Sequence, residues 1–367
     1  MIPSRPARGE LEAEAAALLR RPDDSAHTDE VGALVRGRVA LVTGGGGSIG
    51  SELVRQLHAL GAAKVFVLDH DEESLHAIAL ELAGDGLLVG DEPVLADVRD
   101  RASMMRTVAE LAPDLVFHAA AHKHLPLLER FPAEAVKTNI LGTSNVVDAS
   151  RAAGVERFVN VSTDKAVRPS SVLGITKRVA EILVAESHGE PTKVASVRFG
   201  NGLGSSGSFL STLRWQIHNG SEVTITDPEV TRFFMTTQEA GGLVLEAAVM
   251  ASEGETYVLD MGDQVRIVDI VARYAELIGA APPRLRFTGL RPGEKLHEEL
   301  FDRYDGQLPT AHPKISRTLG RQSEARAWAE ELEAIRALLV AGDVDALMEL
   351  VRSHLPQIEA DEATVTV

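Results

Sequence analysis

Between the apolar run Val39-Ala40-Leu41-Val42 and an amphipathic stretch from Ser51 to Leu60 lies Thr43-Gly44-Gly45-Gly46-Gly47-Ser48-Ile49-Gly50. Gly44, Gly47 and Gly50 stand in G-x-x-G-x-x-G spacing. A turn so poor in side chains, set between a strand and a helix, lets backbone N–H groups approach a pyrophosphate at the positive end of the helix. Leu53, Leu57 and Leu60 give that helix one apolar face.

The same alternation continues. Short apolar runs at Val65–Leu68, Val94–Ala96, Leu115–Phe117, Arg157–Val161 and Val194–Val197 read as strands. Helical patterns over Glu72–Leu82, Arg101–Leu111, Ala133–Ala153 and Val172–Glu186 separate them. Strands that alternate with helices predict α/β architecture, a Rossmann-type doubly wound parallel sheet. Asp69 ends the second strand, 19 residues after Gly50, where an acid can bind a ribose 2′-hydroxyl. The next residue is His70 and not arginine, which favours NAD over NADP. Asp97 and Val98, after the third strand, are placed to flank the adenine, and Ser48 and Ile49 open the first helical turn.

The regularity weakens after Phe199. We expect a dinucleotide-binding domain over 37–200 and 233–262, and a smaller discontinuous α/β substrate domain over 201–232 and 263–318. Residues 1–36 read as a peripheral helical linker, with a helix over Glu10–Arg21 and a break at Arg21-Pro22-Asp23-Asp24-Ser25. Residues 319–367 read as a helical tail, acidic and rich in alanine and leucine from Ser323 to Ile358.

Composition narrows the partners. A net charge of −17 argues against nucleic acid, which needs basic surface. No cysteine is present, so thiolate chemistry and disulfides are excluded. No apolar run reaches the roughly 18 residues of a membrane span, and Glu10, Glu12 and Glu14 interrupt what a signal peptide would need. The expectation is a soluble, cytoplasmic protein.

A second constellation follows the strand at Arg157–Val161: Ser162-Thr163-Asp164-Lys165, with Lys177 twelve residues further on a helix. An acid beside an amine at the carboxyl edge of a parallel sheet lies where ligands bind in such folds. His118, His122 and His124 have a spacing that metals use, but no cysteine or carboxylate completes a ligand set beside them, and no metal is expected. Lys123 in that run is expected to face the substrate.

These segments resemble the extended short-chain dehydrogenase/reductases and, more narrowly, the UDP-N-acetylglucosamine 4,6-dehydratases of polysaccharide biosynthesis. Besides the glycine turn and Ser162–Ala166, the likeness is carried by Ala119-Ala120-Ala121-His122-Lys123-His124-Leu125-Pro126, Asn139-Ile140-Leu141-Gly142-Thr143, Arg198-Phe199-Gly200-Asn201, Arg232-Phe233-Phe234-Met235-Thr236 and Arg291-Pro292-Gly293-Glu294-Lys295. It runs from about Leu18 to Arg317. The resemblance implies tightly held NAD, a UDP-sugar substrate and self-association into a homo-oligomer. It implies that Ala119 and Ala120 lie near the cofactor and that Lys177 contacts the nicotinamide ribose. Thr163 is then the hydroxyl near the sugar 4-OH, and Asp164 and Lys165 the acid and base of elimination. Lys123, Asn139, Asn201, Arg232, Arg291 and Glu294 become substrate-binding residues. Longer relatives carry an N-terminal membrane part, and this chain reads as starting in the linker after it.

Elimination of water beside a 4-ketone needs a base at C5 and an acid at the departing 6-hydroxyl. Lys165 is expected to be kept neutral by burial and by the charge of Lys177, and Asp164 protonated. One position departs from the family pattern. Leu173 stands four residues before Lys177, where a tyrosine usually supplies the base for C4 oxidation. Lys177, Thr163 or a water must then take that proton. A UDP-sugar epimerase, or a catalytically silent nucleotide-binding homologue, are the competing readings.

Overall fold

A computed structural model describes residues 8–20, 27–84, 86–205, 207–302, 306–318 and 328–355. The expected strands form as β1 (Val39–Thr43), β2 (Lys64–Asp69), β3 (Pro93–Leu95), β4 (Leu115–His118), β5 (Arg157–Val161) and β6 (Lys193–Arg198). They lie in the order β3-β2-β1-β4-β5-β6, and the strands Glu253–Leu259, Ile315–Thr318 and Gln307–Pro309 extend the sheet beyond β6. Pairing is parallel from β3 through Glu253–Leu259 and antiparallel in the last two strands. The chain runs outward from β1 in one direction and from β4 in the other. That reversal opens a crevice above the carboxyl ends of β1 and β4.

Each sheet face carries its own apolar layer because successive strand residues point to opposite sides. Leu41, Val116 and Phe158 join one layer. Ala40, Val42, Leu115, Phe117 and Val159 join the other. Outside the sheet, three short strand pairs join Asn201–Leu203 to Phe234–Thr236, Val223–Ile225 to Leu285–Phe287, and Thr231–Arg232 to Val265–Arg266.

Two stretches differ from the sequence reading, and the tail is helical where it is described. Residues 1–36 read as peripheral, yet the helix Arg8–Leu19 buries Leu11, Ala15 and Leu18 in a third apolar cluster with Leu213, Ile225 and Ile270. Spacings of four and three put those residues on one helical face, so the segment packs as core. The Arg21–Ser25 break falls outside the described residues. The long helix expected over Ala133–Ala153 is interrupted by a π-helical stretch, Val136–Gly142, between the helices Pro132–Ala135 and Thr143–Ala152. The wider turns carry Asn139, whose amide bonds both backbone groups of His122. Only the part of the acidic tail over 328–355 is described. It forms two helices, Trp328–Ala341 and Val344–Ser353, split where Gly342 has φ +71° and Asp343 caps Ala346. Their Ile335, Leu347 and Val351 are buried against the first apolar layer. Among the described residues, no helix is long and apolar enough to cross a membrane.

One buried ion pair joins three elements below the carboxyl edge. Arg198, at the end of β6, and Glu181, on the helix Val172–Glu186, have essentially no exposure. The Arg198 guanidinium donates to both Glu181 oxygens at 2.8 Å. Ser162, just after β5, donates to the same carboxylate at 2.6 Å, and Arg178 at 3.0 Å. Burial alone would raise the Glu181 pKa. Arg198 first, then Arg178 and Ser162, overcome this and hold it at about 2.

Removing one partner of such a pair strands the other charge. Arg198→Leu is expected to cost roughly 3–5 kcal/mol, read from urea unfolding. The depressed folded-state pKa also fixes a sign. Stability from Glu181 is complete above its ordinary value of 4.5 and is lost as pH falls towards about 2. Thermal unfolding of Glu181→Gln is therefore expected to vary less with pH across that window than the wild type. An equal slope would remove the pair from the acid response.

Candidate active site

The glycine turn is set by contact. Gly44 has φ +66°, and a Cβ there would come within 2.6 Å of the backbone of Ala120. A Cβ on Gly50 would sit 2.1 Å from the Gly44 carbonyl oxygen. The turn after β1 and the loop after β4 can close on each other only without side chains. Gly47 caps the helix Ser48–Ala59 and offers no side-chain acceptor, while Ser48, Ile49 and Gly50 form its first turn.

Asp69 ends β2 and is nearly buried. Its carboxylate accepts from Gly46 N at 3.1 Å, His70 N at 2.8 Å and Asp71 N at 3.1 Å. It therefore braces the glycine turn and retains acceptor capacity for a ribose hydroxyl. A cavity of about 330 Å³ opens there, walled by Gly44, Gly47, Asp69, Asp97, Val98, Ala119 and Ala120, with Arg99 and His122 added. Of these, Arg99 was not anticipated. Arg99 supplies a cation to a wall expected to lack one, but Asp97 and Glu134 already pair with it at 2.8 and 3.0 Å. With Asp69 facing the same space, the wall still suits a 2′-hydroxyl better than a 2′-phosphate. The turn, the open helix end and the acid fit NAD.

The acid–amine pair stands at the carboxyl end of β5. Thr163 precedes a short 3-10 turn, Asp164–Ala166. Asp164 is fully buried, and its Oδ1 accepts from Thr163 Oγ1 and from Lys165 Nζ, both at 2.9 Å. Lys165 Nζ also donates to Asn201 Oδ1 at 3.1 Å, and its side chain keeps 18% exposure. Gly200 makes the burial possible, since a Cβ there would lie 2.8 Å from Asp164 Oδ2. Neither group points into bulk solvent. A further carboxylate absent from the sequence reading, Glu298, comes within 3.9 Å of Lys165 Nζ. It lies outside any periodic segment, so no pattern marked it.

Lys177 is buried beneath this pair and donates to the Val161 carbonyl at 2.6 Å. Burial lowers its pKa to about 8 although Glu181 opposes the shift. Leu173, one turn earlier, is packed in the apolar core. His118 is also buried, between the hydroxyls of Thr43 at 2.7 Å and Thr143 at 3.0 Å. Burial, with Lys177 adding repulsion, drives its pKa to about 3, so it is a neutral brace beneath the crevice.

The residues expected on the substrate divide. Lys123 is exposed on the loop after β4, and Asn201 opens the strand Asn201–Leu203. Asn139 has no exposure, and its amide holds the His122 backbone and Thr176 in place of presenting itself to a ligand. The forks of Arg232 and Arg291, expected on phosphate oxygens, are turned onto Glu294 at 2.8 and 2.9 Å. Arg232 further donates to the carbonyls of Thr231 and Leu296 and is buried, whereas Arg291 remains 51% exposed. Burial would raise the Glu294 pKa, but Arg291 and Arg232 pull it below the usual carboxylate range. The loop carrying Arg291 and Glu294 is seated on the segment before the Lys177 helix, through Ser170 to the Gly293 carbonyl and Lys295 to the Val167 carbonyl.

Comparison with known proteins agrees with the fold. EpsC of Bacillus subtilis, described as a probable polysaccharide biosynthesis protein, is 44% identical over 81% of this chain and 50% of its own length. The chain spans about half the length of EpsC and of CapD of Staphylococcus aureus, to which it is also 44% identical. Among solved structures, Pen from Bacillus thuringiensis superposes with a TM-score of 0.70 at 30% identity, over 77% of this chain and 88% of Pen. MoeE5 in complex with UDP-glucose and NAD superposes at 0.60 and 26% identity, over 72% and 90%. The model of the family described as polysaccharide biosynthesis protein matches residues 40–319, and the chain belongs to that family.

Proposed function

We propose that the protein is an NAD-dependent UDP-sugar 4,6-dehydratase, acting on UDP-N-acetylglucosamine to form a 4-keto-6-deoxy sugar nucleotide. The observation that carries this reading is the hydrogen bond between the fully buried Asp164 and the partly buried Lys165 at the carboxyl end of β5. Support for NAD comes from the fit of the crevice. Support for a UDP-sugar comes from the family and from MoeE5, which binds both. We assign the sugar nucleotide to the part built from 201–232 and 263–302, whose apolar cluster is separate from the two sheet layers, whereas the strands within 307–318 extend the main sheet.

NAD, when bound, supplies the acceptor for the C4 hydrogen and returns it to C6. The chain's own residues handle protons. Lys165 as a neutral amine takes the C5 proton, made acidic by the ketone at C4, and as the resulting ammonium gives a proton back to C5 when hydride reaches C6. Asp164 as a neutral acid gives a proton to the 6-hydroxyl, which leaves as water. An ammonium–carboxylate pair becomes this neutral pair when one proton moves along the 2.9 Å bond. A sugar that excludes water favours the neutral form, because desolvation penalises two charges. With Leu173 apolar, Lys177 takes the 4-hydroxyl proton, a role its lowered pKa allows. C4 epimerisation would need no second proton donor, so it leaves Asp164 without a purpose.

In D2O, purified protein with UDP-N-acetylglucosamine is expected to give a new C6 methyl proton signal with deuterium at C5. Conversion to the C4 epimer without a methyl signal, or an unchanged spectrum, would overturn the dehydratase reading. Lys165→Ala and Asp164→Asn should each lower turnover by about 10²-fold or more while UDP still binds by calorimetry; a normal rate in both would remove the pair from the chemistry. Turnover is expected to rise with pH towards about 8 as Lys177 loses its proton. Lys177→Met should abolish that limb, and a persisting limb would assign it elsewhere.

A further inference from the structure

Glu298 is unusual for a carboxylate near a reacting pair. It is only 3% exposed. Its Oε1 lies 3.9 Å from Lys165 Nζ and its Oε2 3.9 Å from Lys295 Nζ, inside ion-pair range but beyond a hydrogen bond. Among the described residues, no donor bonds Oε2, and the same holds for Asp164 Oδ2. Buried side-chain oxygens are ordinarily satisfied. Here two buried carboxylates share one amine, and each keeps an oxygen unpaired. The segment is pinned by its backbone, since Gln264 donates to the Glu298 carbonyl at 2.8 Å. The carboxylate is therefore held near Lys165 by the fold and not by its own bonds.

We propose that Glu298 is a positioning residue that sets the charge on Lys165. As a carboxylate it holds the amine protonated between Asp164 and Asn201, and as a neutral acid it releases the amine to act as a base. The groups facing it are Lys165, Asp164, Arg232 and Lys295. Burial, aided by Asp164, raises its pKa, and the three cations only partly offset this. Below that raised value Glu298 is neutral, and above it Glu298 is charged. Its consequence for turnover rests on the dehydratase reading, whereas its effect on Lys165 does not.

The test is competitive acetylation of the NAD-loaded protein over a range of pH, with Lys165 followed by mass spectrometry. In Glu298→Gln the pH of half-maximal labelling is expected to fall by about one unit, a tenfold loss of proton affinity. Glu298→Asp, which keeps the charge, should restore the wild-type value, and a purely structural role would not distinguish the two. An unchanged midpoint in folded Glu298→Gln overturns the proposal. Should that variant not fold, carboxyl 13C titration of the wild type replaces it. The Lys165 labelling curve must then bend where Glu298 titrates, and a curve without that bend overturns the proposal equally. These readouts use no sugar, so failure of the dehydratase assay leaves them intact.

Discussion

The bidentate pair between Arg198 and Glu181 determines where the chemistry can sit. It ties the end of β6 to the helix that carries Lys177, and Ser162 joins the same carboxylate just before Thr163 and Asp164. Charges taken this far out of water are costly unless every lone pair finds a donor. Here Arg198, Arg178 and Ser162 satisfy them. Strand end, helix and acid–amine turn are consequently held as one unit, and Lys177 lies against the Val161 carbonyl at the end of β5.

Above that anchor the site is built from few charges in little water. Asp164 is wholly enclosed, Glu298 nearly so, and Lys165 lies between them. In such surroundings a proton's position along one hydrogen bond decides whether two groups are an ion pair or an acid and a base. The second ring of charge works differently. Arg232 and Arg291 converge on Glu294, and the loop that carries Arg291 and Glu294 is seated on the segment between Asp164 and the Lys177 helix. An exposed guanidinium such as that of Arg291 can change partners at low cost, whereas the buried Arg232 is committed to carbonyls and a carboxylate.

Much of this was legible in local pattern. The strand–glycine–helix unit, the acid after β2 and the alternation of apolar runs each rest on residues close in the chain, and periodicity reports such neighbours directly. Glu298 was invisible because the Glu298-Glu299 pair after Arg291–Lys295 has no periodic signature; only packing puts Glu298 against Lys165. Asn139 sat in a segment marked as substrate-facing, but a π-helical stretch carries its amide to the backbone of His122. The helix Arg8–Leu19 looked peripheral because its strand partners are some two hundred residues away.

The sequence by itself determined the sheet, its crevice and the chemical types placed at its edge, because short-range steric and hydrophobic periodicity specify them. Tertiary structure alone decided which charges meet. It turned the two arginine forks inward to Glu294, sealed Asp164 behind Gly200, and brought Glu298 beside Lys165. Coulomb interactions and desolvation depend on distance through space, and distance along the chain does not report it.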